Sequence, residues 1–129
     1  MKVGFTGSRT GMSSTQIDRL RKLVIDTGEF IEEFHHGDCV GADADAHKIF
    51  RAASPKTMIV IHPPLNEKFR AFMKGDAMCA PWDYLVRNRL IVDATTCLIA
   101  APSGPETLRS GTWSTVRYAR KLNRPVIIL

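Results

Sequence analysis

Two short stretches of the chain, GSR near the start and SGT near the end, combine residue types that bind anions. Glycines permit tight turns, whereas hydroxyl groups, a guanidinium and the free N–H groups of a helix start are donors that suit a phosphate. The glycine spacing fits neither GxGxxG nor a Walker A loop. The predicted phosphate-binding residues are Gly7, Ser8, Arg9, Ser110, Gly111 and Thr112.

A third stretch, HHGDCVGADADAH, carries acidic residues between glycines. Carboxylates near a helix start are favoured by the helix dipole, and in dinucleotide-binding folds an acidic residue after the second strand binds ribose hydroxyls. Both interpretations of Asp38 and Asp43 stay open. If they bind ribose, we expect these two residues, with Gly37 and Gly41, to form the ribose side of a ligand site. The DxDxDG spacing of a calcium loop is absent.

The residues that bind metals are poorly placed for a shared site. His35 and His36 are neighbours on a predicted strand, so their side chains point to opposite faces of the sheet. The three cysteines are odd in number and widely spaced, which favours reduced thiols over disulfides or a zinc site: Cys39, Cys79 and Cys97. We expect no metal and no cofactor beyond a nucleotide ligand.

Short β-branched runs alternate with helical patterns, which is typical of βαβ units. The pattern predicts one α/β domain over residues 1–129, a Rossmann-like three-layer fold with a five-stranded parallel sheet in the order 3-2-1-4-5. The predicted strands are 2–6, 30–36, 56–62, 95–101 and 126–129; the predicted helices are 14–27, 42–53, a short one at 67–73, 82–94 and 110–122. Ligands of such sheets bind at the carboxyl ends of the strands, where the strand order reverses.

The 129 residues, 44% of them hydrophobic, are enough for one core. The net charge of +5 arises in residues 65–129, which hold ten basic and five acidic side chains. That asymmetry favours a phosphate-bearing partner on that side of the molecule, although a solvated basic face is the alternative. No apolar run is long enough to span a bilayer and the N-terminus lacks a signal-peptide pattern, so we expect a cytoplasmic protein without a membrane partner.

The segments GFTGSR, HGDCVGADADAH, HPP, YLVRN and SGTWSTVRYARKLNRPVIIL, taken in order, resemble the SLOG superfamily of Rossmann-like nucleotide-binding domains. Its members include the Lonely-guy phosphoribohydrolases, the DNA-processing protein A family and the small YspA-like proteins, which are most similar to this chain. The resemblance implies a nucleotide held by the GSR turn, the GDCVGAD loop and the SGT helix start. It also implies self-association into a homo-oligomer.

In the Lonely-guy enzymes a glutamate after the glycine-rich turn works with an upstream arginine to break an N-glycosidic bond. The resemblance places that arginine at Arg87, but Thr115 occupies the glutamate position. Threonine cannot replace a carboxylate as a base or as a partner of a ribosyl cation. Glu106 or Asp38 would have to supply the acid.

Three functional hypotheses follow. The first is a sensor or processing module that binds a nucleotide-derived ligand, such as a nucleoside monophosphate, NAD or ADP-ribose. The second is an N-glycosidase that acts on a nucleoside monophosphate through Arg87 and Glu106 or Asp38. The third, which we rank below both, is single-stranded DNA binding by the basic half and its aromatic side chains Trp82, Tyr84 and Trp113.

Overall fold

A computed structural model describes all residues, 1–129. It contains one parallel sheet flanked by four α-helices. The strands are β1 (Lys2–Gly7), β2 (Glu33–His36), β3 (Met58–Ile61), β4 (Ala77–Met78), β5 (Cys97–Ala101) and β6 (Val126–Ile128). The helices are α1 (Ser14–Thr27), α2 (Ala42–Ala53), α3 (Tyr84–Asp93) and α4 (Gly111–Lys121), and two 3₁₀ turns cover Gly28–Phe30 and Glu67–Phe69.

The Rossmann-like α/β class is confirmed, but the predicted sheet is wrong in its strand number. The sheet has six strands in the order β4-β3-β2-β1-β5-β6, because the two-residue strand β4 adds to the edge beside β3. The other five strands keep the relative order that the alternation predicts. Other boundaries differ as well: residues 28–30 form a 3₁₀ turn before β2, and the short helix expected at 67–73 is a single 3₁₀ turn. Strands β3 and β5 and helix α3 each begin two residues later than predicted.

The helices cover the two faces of the sheet in pairs. Helices α1 and α2 pack on a core that includes Phe5, Phe34 and Phe50, whose last two rings stack at a centroid distance of 3.8 Å. Helices α3 and α4 cover the other face over a smaller cluster around Leu98 and Val116. This arrangement brings the N-termini of α2 and α4 to the carboxyl end of β1, where the strand order reverses.

Local sequence explains where the helices begin. Ser13 caps α1 by accepting the Gln16 N–H, and the Gln16 side chain accepts the Ser13 N–H in return. Ser110 caps α4 by accepting the Trp113 N–H. None of the helices has both the length and the apolar composition to cross a bilayer.

Candidate functional site

A cavity of about 500 Å³ opens at the carboxyl edge of the sheet, between the end of β1 and the start of α4. Helix α3 forms a third wall, and the loop after β2 forms the floor. Lining residues include Gly7, Ser8, Arg9, Gly37, Cys39, Asp43, Tyr84, Arg87, Asn88, Arg109, Ser110, Gly111 and Thr112. A volume of this size is within the range of small-molecule sites.

Arg87 is a buried cation without a carboxylate partner. Its side chain comes from the middle of α3 and is 4% exposed. Nη1 donates to the carbonyl oxygens of Gly37 and His62, while Nε donates to Asn88 Oδ1 at 2.8 Å. Gly37 permits this contact, since a Cβ there would lie 2.5 Å from the guanidinium carbon. Nη2 donates to the Cys39 sulfur at 3.5 Å. All of these acceptors are neutral, and the guanidinium forms no ion pair with a carboxylate.

Two further guanidiniums line the cavity. The Cζ of Arg9 lies 4.2 Å from the centroid of the Phe69 ring and 4.9 Å from that of Tyr84, a cation–π arrangement that holds the side chain in place. Arg109 precedes the cap of α4 and is exposed. Neither of them, nor Arg87, forms an ion pair. The three cations therefore create a strongly positive cavity.

The first turn of α4 supplies free backbone donors to the same cavity. Because the Ser110 hydroxyl accepts from Trp113, the N–H groups of Gly111 and Thr112 have no partner within the protein. Nothing lies within 4 Å of the position that a Cβ on Gly111 would take. This open helix start has the geometry of an anion site, with the positive end of the helix dipole directed at the ligand space.

Asp43 is the one carboxylate among the lining side chains, and it is 6% exposed. It accepts the Cys39 N–H at 3.1 Å. Burial raises the pKa of the Asp43 carboxyl to about 6, even though the nearby Arg87 guanidinium acts in the opposite direction. Burial and the Asp43 charge also raise the pKa of the Cys39 thiol. Near neutral pH this carboxyl is close to its titration range, as is typical of groups that exchange protons.

Asp38 lies elsewhere, contrary to the expectation that it faces the ligand. It is fully buried with a φ of 56°, and its carboxylate accepts from Arg70 Nε at 2.8 Å and from the Met73 N–H at 2.9 Å. The left-handed backbone turns this side chain away from the cavity. Asp38 anchors the segment after β3, and Asp43 is the neighbour that lines the site.

Glu106 and Thr115 also do not line the cavity. Glu106 forms an ion pair with Arg117 at 3.0 Å on the loop before α4. Thr115 is buried, and its hydroxyl donates to the Gly111 carbonyl at 2.9 Å. Neither candidate acid from the sequence, Glu106 or Asp38, therefore reaches the space beside Arg87.

The remaining glycines act through close backbone contacts. Gly41 has a φ of 92°, and a Cβ there would lie 2.3 Å from the Arg9 carbonyl oxygen. The loop after β2 thereby reaches the loop after β1, and the Ala42 N–H donates to the Ser8 carbonyl at 2.9 Å. At Gly7 a Cβ would lie 2.5 Å from the Ala42 methyl group. These two glycines allow the cavity walls to meet.

The histidines pair inside the protein. His35 Nδ1 contacts His62 Nε2 at 2.8 Å on one face of the sheet, and His36 Nε2 contacts His47 Nδ1 at 2.9 Å on the other, so the two neighbours point apart as the strand pattern predicts. Burial lowers the pKa of His36 well below its usual value and that of His62 to about 4. No group of three or more His, Cys, Asp or Glu side chains is arranged to bind a metal ion.

The predicted site residues do not include Arg109, Asn88 or Phe69. Arg109 stands directly before the cap of α4, and Asn88 follows Arg87, so proximity to these motifs was an available signal. No local signal places Phe69 against Arg9, because the contact joins residues far apart in the chain.

No family model matches the chain, and no curated protein does. Solved structures do match. The molybdenum cofactor binding protein from the phototrophic bacterium Rippkaea orientalis has a TM-score of 0.73 and 22% identity, over 98% of this chain and 74% of that chain. The molybdenum cofactor carrier protein from Chlamydomonas reinhardtii has a TM-score of 0.69 and 20% identity, over 98% and 74%.

DNA processing protein A from Helicobacter pylori, which binds single-stranded DNA, matches with a TM-score of 0.68 and 20% identity, over 99% of this chain and 64% of that chain. At such identities the likeness concerns the fold, and one fold serves many ligands. The chain therefore shares the Rossmann-like fold of these proteins.

Proposed function

We propose that the chain binds a small phosphate-bearing ligand of nucleotide type in the cavity at the carboxyl edge of the sheet. One observation carries the proposal: three guanidiniums without carboxylate partners, those of Arg9, Arg87 and Arg109, line the cavity together with the open start of α4. Arg9 and Arg109 are exposed, but Arg87 is buried, and burying an unpaired cation is costly unless an anion occupies the site. A phosphate or diphosphate group supplies that anion and accepts the free N–H groups of Gly111 and Thr112.

A ligand that also carries a sugar and a base suits the cavity better than phosphate alone. The volume of about 500 Å³ exceeds what an inorganic ion fills, and polar side chains such as Ser8 and Asn88 extend along its walls. Asp43 is the carboxylate available to sugar hydroxyls. Nucleoside monophosphates, NAD and ADP-ribose share these groups, and the number of phosphates is a matter for the binding assay.

We propose that the site binds its ligand without breaking a bond in it. The support is that the family glutamate position holds the buried Thr115, while Glu106 and Asp38 pair with other residues. An N-glycosidase is the alternative, and Asp43 is then the carboxylate to examine. Chromatography that follows the release of adenine from AMP measures that activity. The alternative requires that the wild type releases adenine and that Asp43→Ala abolishes the release but still binds AMP.

Isothermal titration calorimetry tests the main proposal. The panel contains AMP, NAD, ADP-ribose and inorganic phosphate, with adenosine as the control that lacks a phosphate. We expect at least one phosphate-bearing nucleotide to bind and adenosine to bind at least about tenfold more weakly, since charge-assisted hydrogen bonds are the strong ones. Equal affinity for adenosine and AMP, or no binding by any compound, would reject the proposal.

The molybdenum cofactor is a second ligand class, because two structural neighbours bind it. It is itself an anion, so the arginine-lined cavity is compatible with it. Metal analysis and fluorescence of the purified protein after denaturation would detect bound molybdenum and a pterin. Their presence would change the ligand class but leave the anion site in place.

We also propose that the chain forms a homo-oligomer through the edge formed by α3 and the segment after β3. The support is a set of exposed apolar side chains there: Leu65, Trp82, Leu85 and Val86. Groups of this kind are typical of interaction surfaces. Light scattering coupled to size exclusion gives the mass directly, and Leu85→Glu should shift the protein toward the monomer. A monomeric wild type would reject this proposal.

A further inference from the structure

The segment between β3 and β4 interleaves basic and aromatic side chains on the surface. We call residues 68–74 the basic aromatic strip; its members are Lys68, Phe69, Arg70, Phe72 and Lys74. Each ring is paired with a cation: Lys68 Nζ lies 5.2 Å from the Phe69 centroid, and Arg70 Cζ lies 4.6 Å from that of Phe72. Phe69 also contacts Arg9, which joins the strip to the rim of the cavity.

Phe72 is the unusual member of the strip. Its side chain is 59% exposed, and its backbone has a φ of 56°, a conformation that a bulky residue rarely adopts. The residues on both sides are fixed to Asp38: its carbonyl oxygen accepts the Ala71 N–H at 2.7 Å, and its carboxylate accepts the Met73 N–H at 2.9 Å. Hydrogen bonds to the buried Asp38 thus hold an exposed ring in a strained position.

The same buried carboxylate fixes the cation beneath the ring. Asp38 accepts from Arg70 Nε, while Arg70 Nη2 lies 3.7 Å from the Met78 sulfur. The guanidinium therefore has a defined plane under Phe72. An exposed ring is not needed for the core, and strain of this kind is typical of binding sites.

Charge identifies the kind of partner. Lys68 and Lys74 form no ion pairs, and Glu67, which contacts Arg70 at 3.6 Å, is the one acidic residue from 66 to 74. A partner must therefore combine negative charge with flat groups that stack on a ring. Single-stranded nucleic acid has both, since its bases stack on aromatic side chains and its phosphates bind lysine and arginine.

We propose that the basic aromatic strip binds single-stranded nucleic acid, with a base stacked on Phe72 and phosphates at Lys68 and Lys74. These residues differ from the tryptophans that the sequence suggests for this role, and Trp113 instead donates its indole N–H to the Gly104 carbonyl at 3.1 Å. The strip meets the phosphate-binding cavity where Phe69 contacts Arg9. Lys68, Phe72 and Lys74 do not line that cavity, so this proposal does not depend on the small ligand.

Fluorescence anisotropy with a labelled oligothymidylate of about 12 nucleotides tests the proposal. Phe72→Ala should weaken binding at least about fivefold, as expected for the loss of one stacked base. The matched control is Phe30→Ala, because Phe30 is 63% exposed but lies between Glu29 and Glu32. Lys68→Ala should reduce the slope of log K against log salt concentration by about 0.7, the value for one phosphate contact on a single strand.

Phe72→Asn separates binding from folding. Asparagine tolerates a positive φ, so this variant should melt at the wild-type temperature or above it, yet lose affinity as Phe72→Ala does. Wild-type affinity in both Phe72 variants would overturn the proposal. So would the absence of oligonucleotide binding at low salt. A further test is competition by polyglutamate at the same charge concentration. If polyglutamate competes as effectively as unlabelled oligothymidylate, the partner is an acidic protein and the proposal is overturned.

Discussion

Replacing Gly111 by alanine separates ligand binding from stability more cleanly than any other change at the cavity. Gly111 is the first residue of α4, and a Cβ there meets no atom within 4 Å, so the folded protein accommodates it. Alanine in a helix is more stable than glycine by about 0.5–1 kcal/mol, and less at the first position. With an unfolding entropy of about 2.1 cal/mol/K per residue over 129 residues, 0.5 kcal/mol raises Tm by about 2 °C.

Binding should change in the opposite direction. The added methyl group occupies the space through which a phosphate approaches the N–H groups of Gly111 and Thr112. Loss of one hydrogen bond to a charged group costs about 1.5–3 kcal/mol, which is about a 10- to 150-fold loss of affinity. Calorimetry with the best nucleotide of the panel and a thermal melt measure the two effects.

Gly104→Ala is the matched control for this experiment. A Cβ at Gly104 would also meet no atom within 4 Å, but Gly104 does not line the cavity. This variant should therefore bind the nucleotide with wild-type affinity. Undiminished affinity in Gly111→Ala, or an equal loss in both variants, would refute the placement of the phosphate at the start of α4.

Three further predictions concern the walls of the cavity. The first concerns Asp43, whose carboxyl pKa is raised to about 6. Between about pH 4 and 6 this carboxyl is neutral in the folded protein and charged in the unfolded protein. Its contribution to the free energy of unfolding therefore falls as pH rises through that range, by on the order of 3 kcal/mol. In urea titrations, Asp43→Asn should remove this pH-dependent part of the stability. The diphosphate of NAD does not titrate in this range, so NAD should bind the wild type more tightly at pH 5.5 than at pH 7.5 but bind Asp43→Asn with the same affinity at both. The same pH dependence in both proteins would contradict this prediction. Thr115→Glu should lower Tm without creating release of adenine from AMP, because Thr115 is buried away from the cavity; measurable release would show that the position reaches the ligand. Gly37→Ala should displace the Arg87 guanidinium and weaken nucleotide binding at least about tenfold by calorimetry; wild-type affinity would show that Arg87 does not bind the ligand.

The sequence predicted the fold well where its patterns are local. Alternation of apolar runs and helical spacing predicted the order of five strands. Serines also stand at two helix starts: the pair Ser13 and Ser14, of which Ser13 is the cap, and Ser110. Strand β4 escaped prediction because Ala77 and Met78 are too short a run to show a period, and pairing with β3 alone makes them a strand.

The sequence pattern singles out the glycines, the hydroxyls and two of the three arginines that line the cavity, but it does not show where the acidic residues lie. Asp38 and Asp43 are equivalent in a sequence pattern, since both stand beside glycines near a helix start. A φ of 56° at Asp38 and a partner 32 residues away, Arg70, direct one carboxylate into the protein and leave the other at the cavity. Backbone conformation at one residue and a long-range ion pair are tertiary properties that no local spacing contains.

The most direct test of the anion site is the amide spectrum of isotope-labelled protein during titration with ADP-ribose. The structure predicts that the N–H signals of Gly111 and Thr112, which have no acceptor within the protein, shift downfield and saturate together with the calorimetric binding curve. Saturable binding that leaves both signals in place would contradict the central claim, because the phosphate would then lie elsewhere.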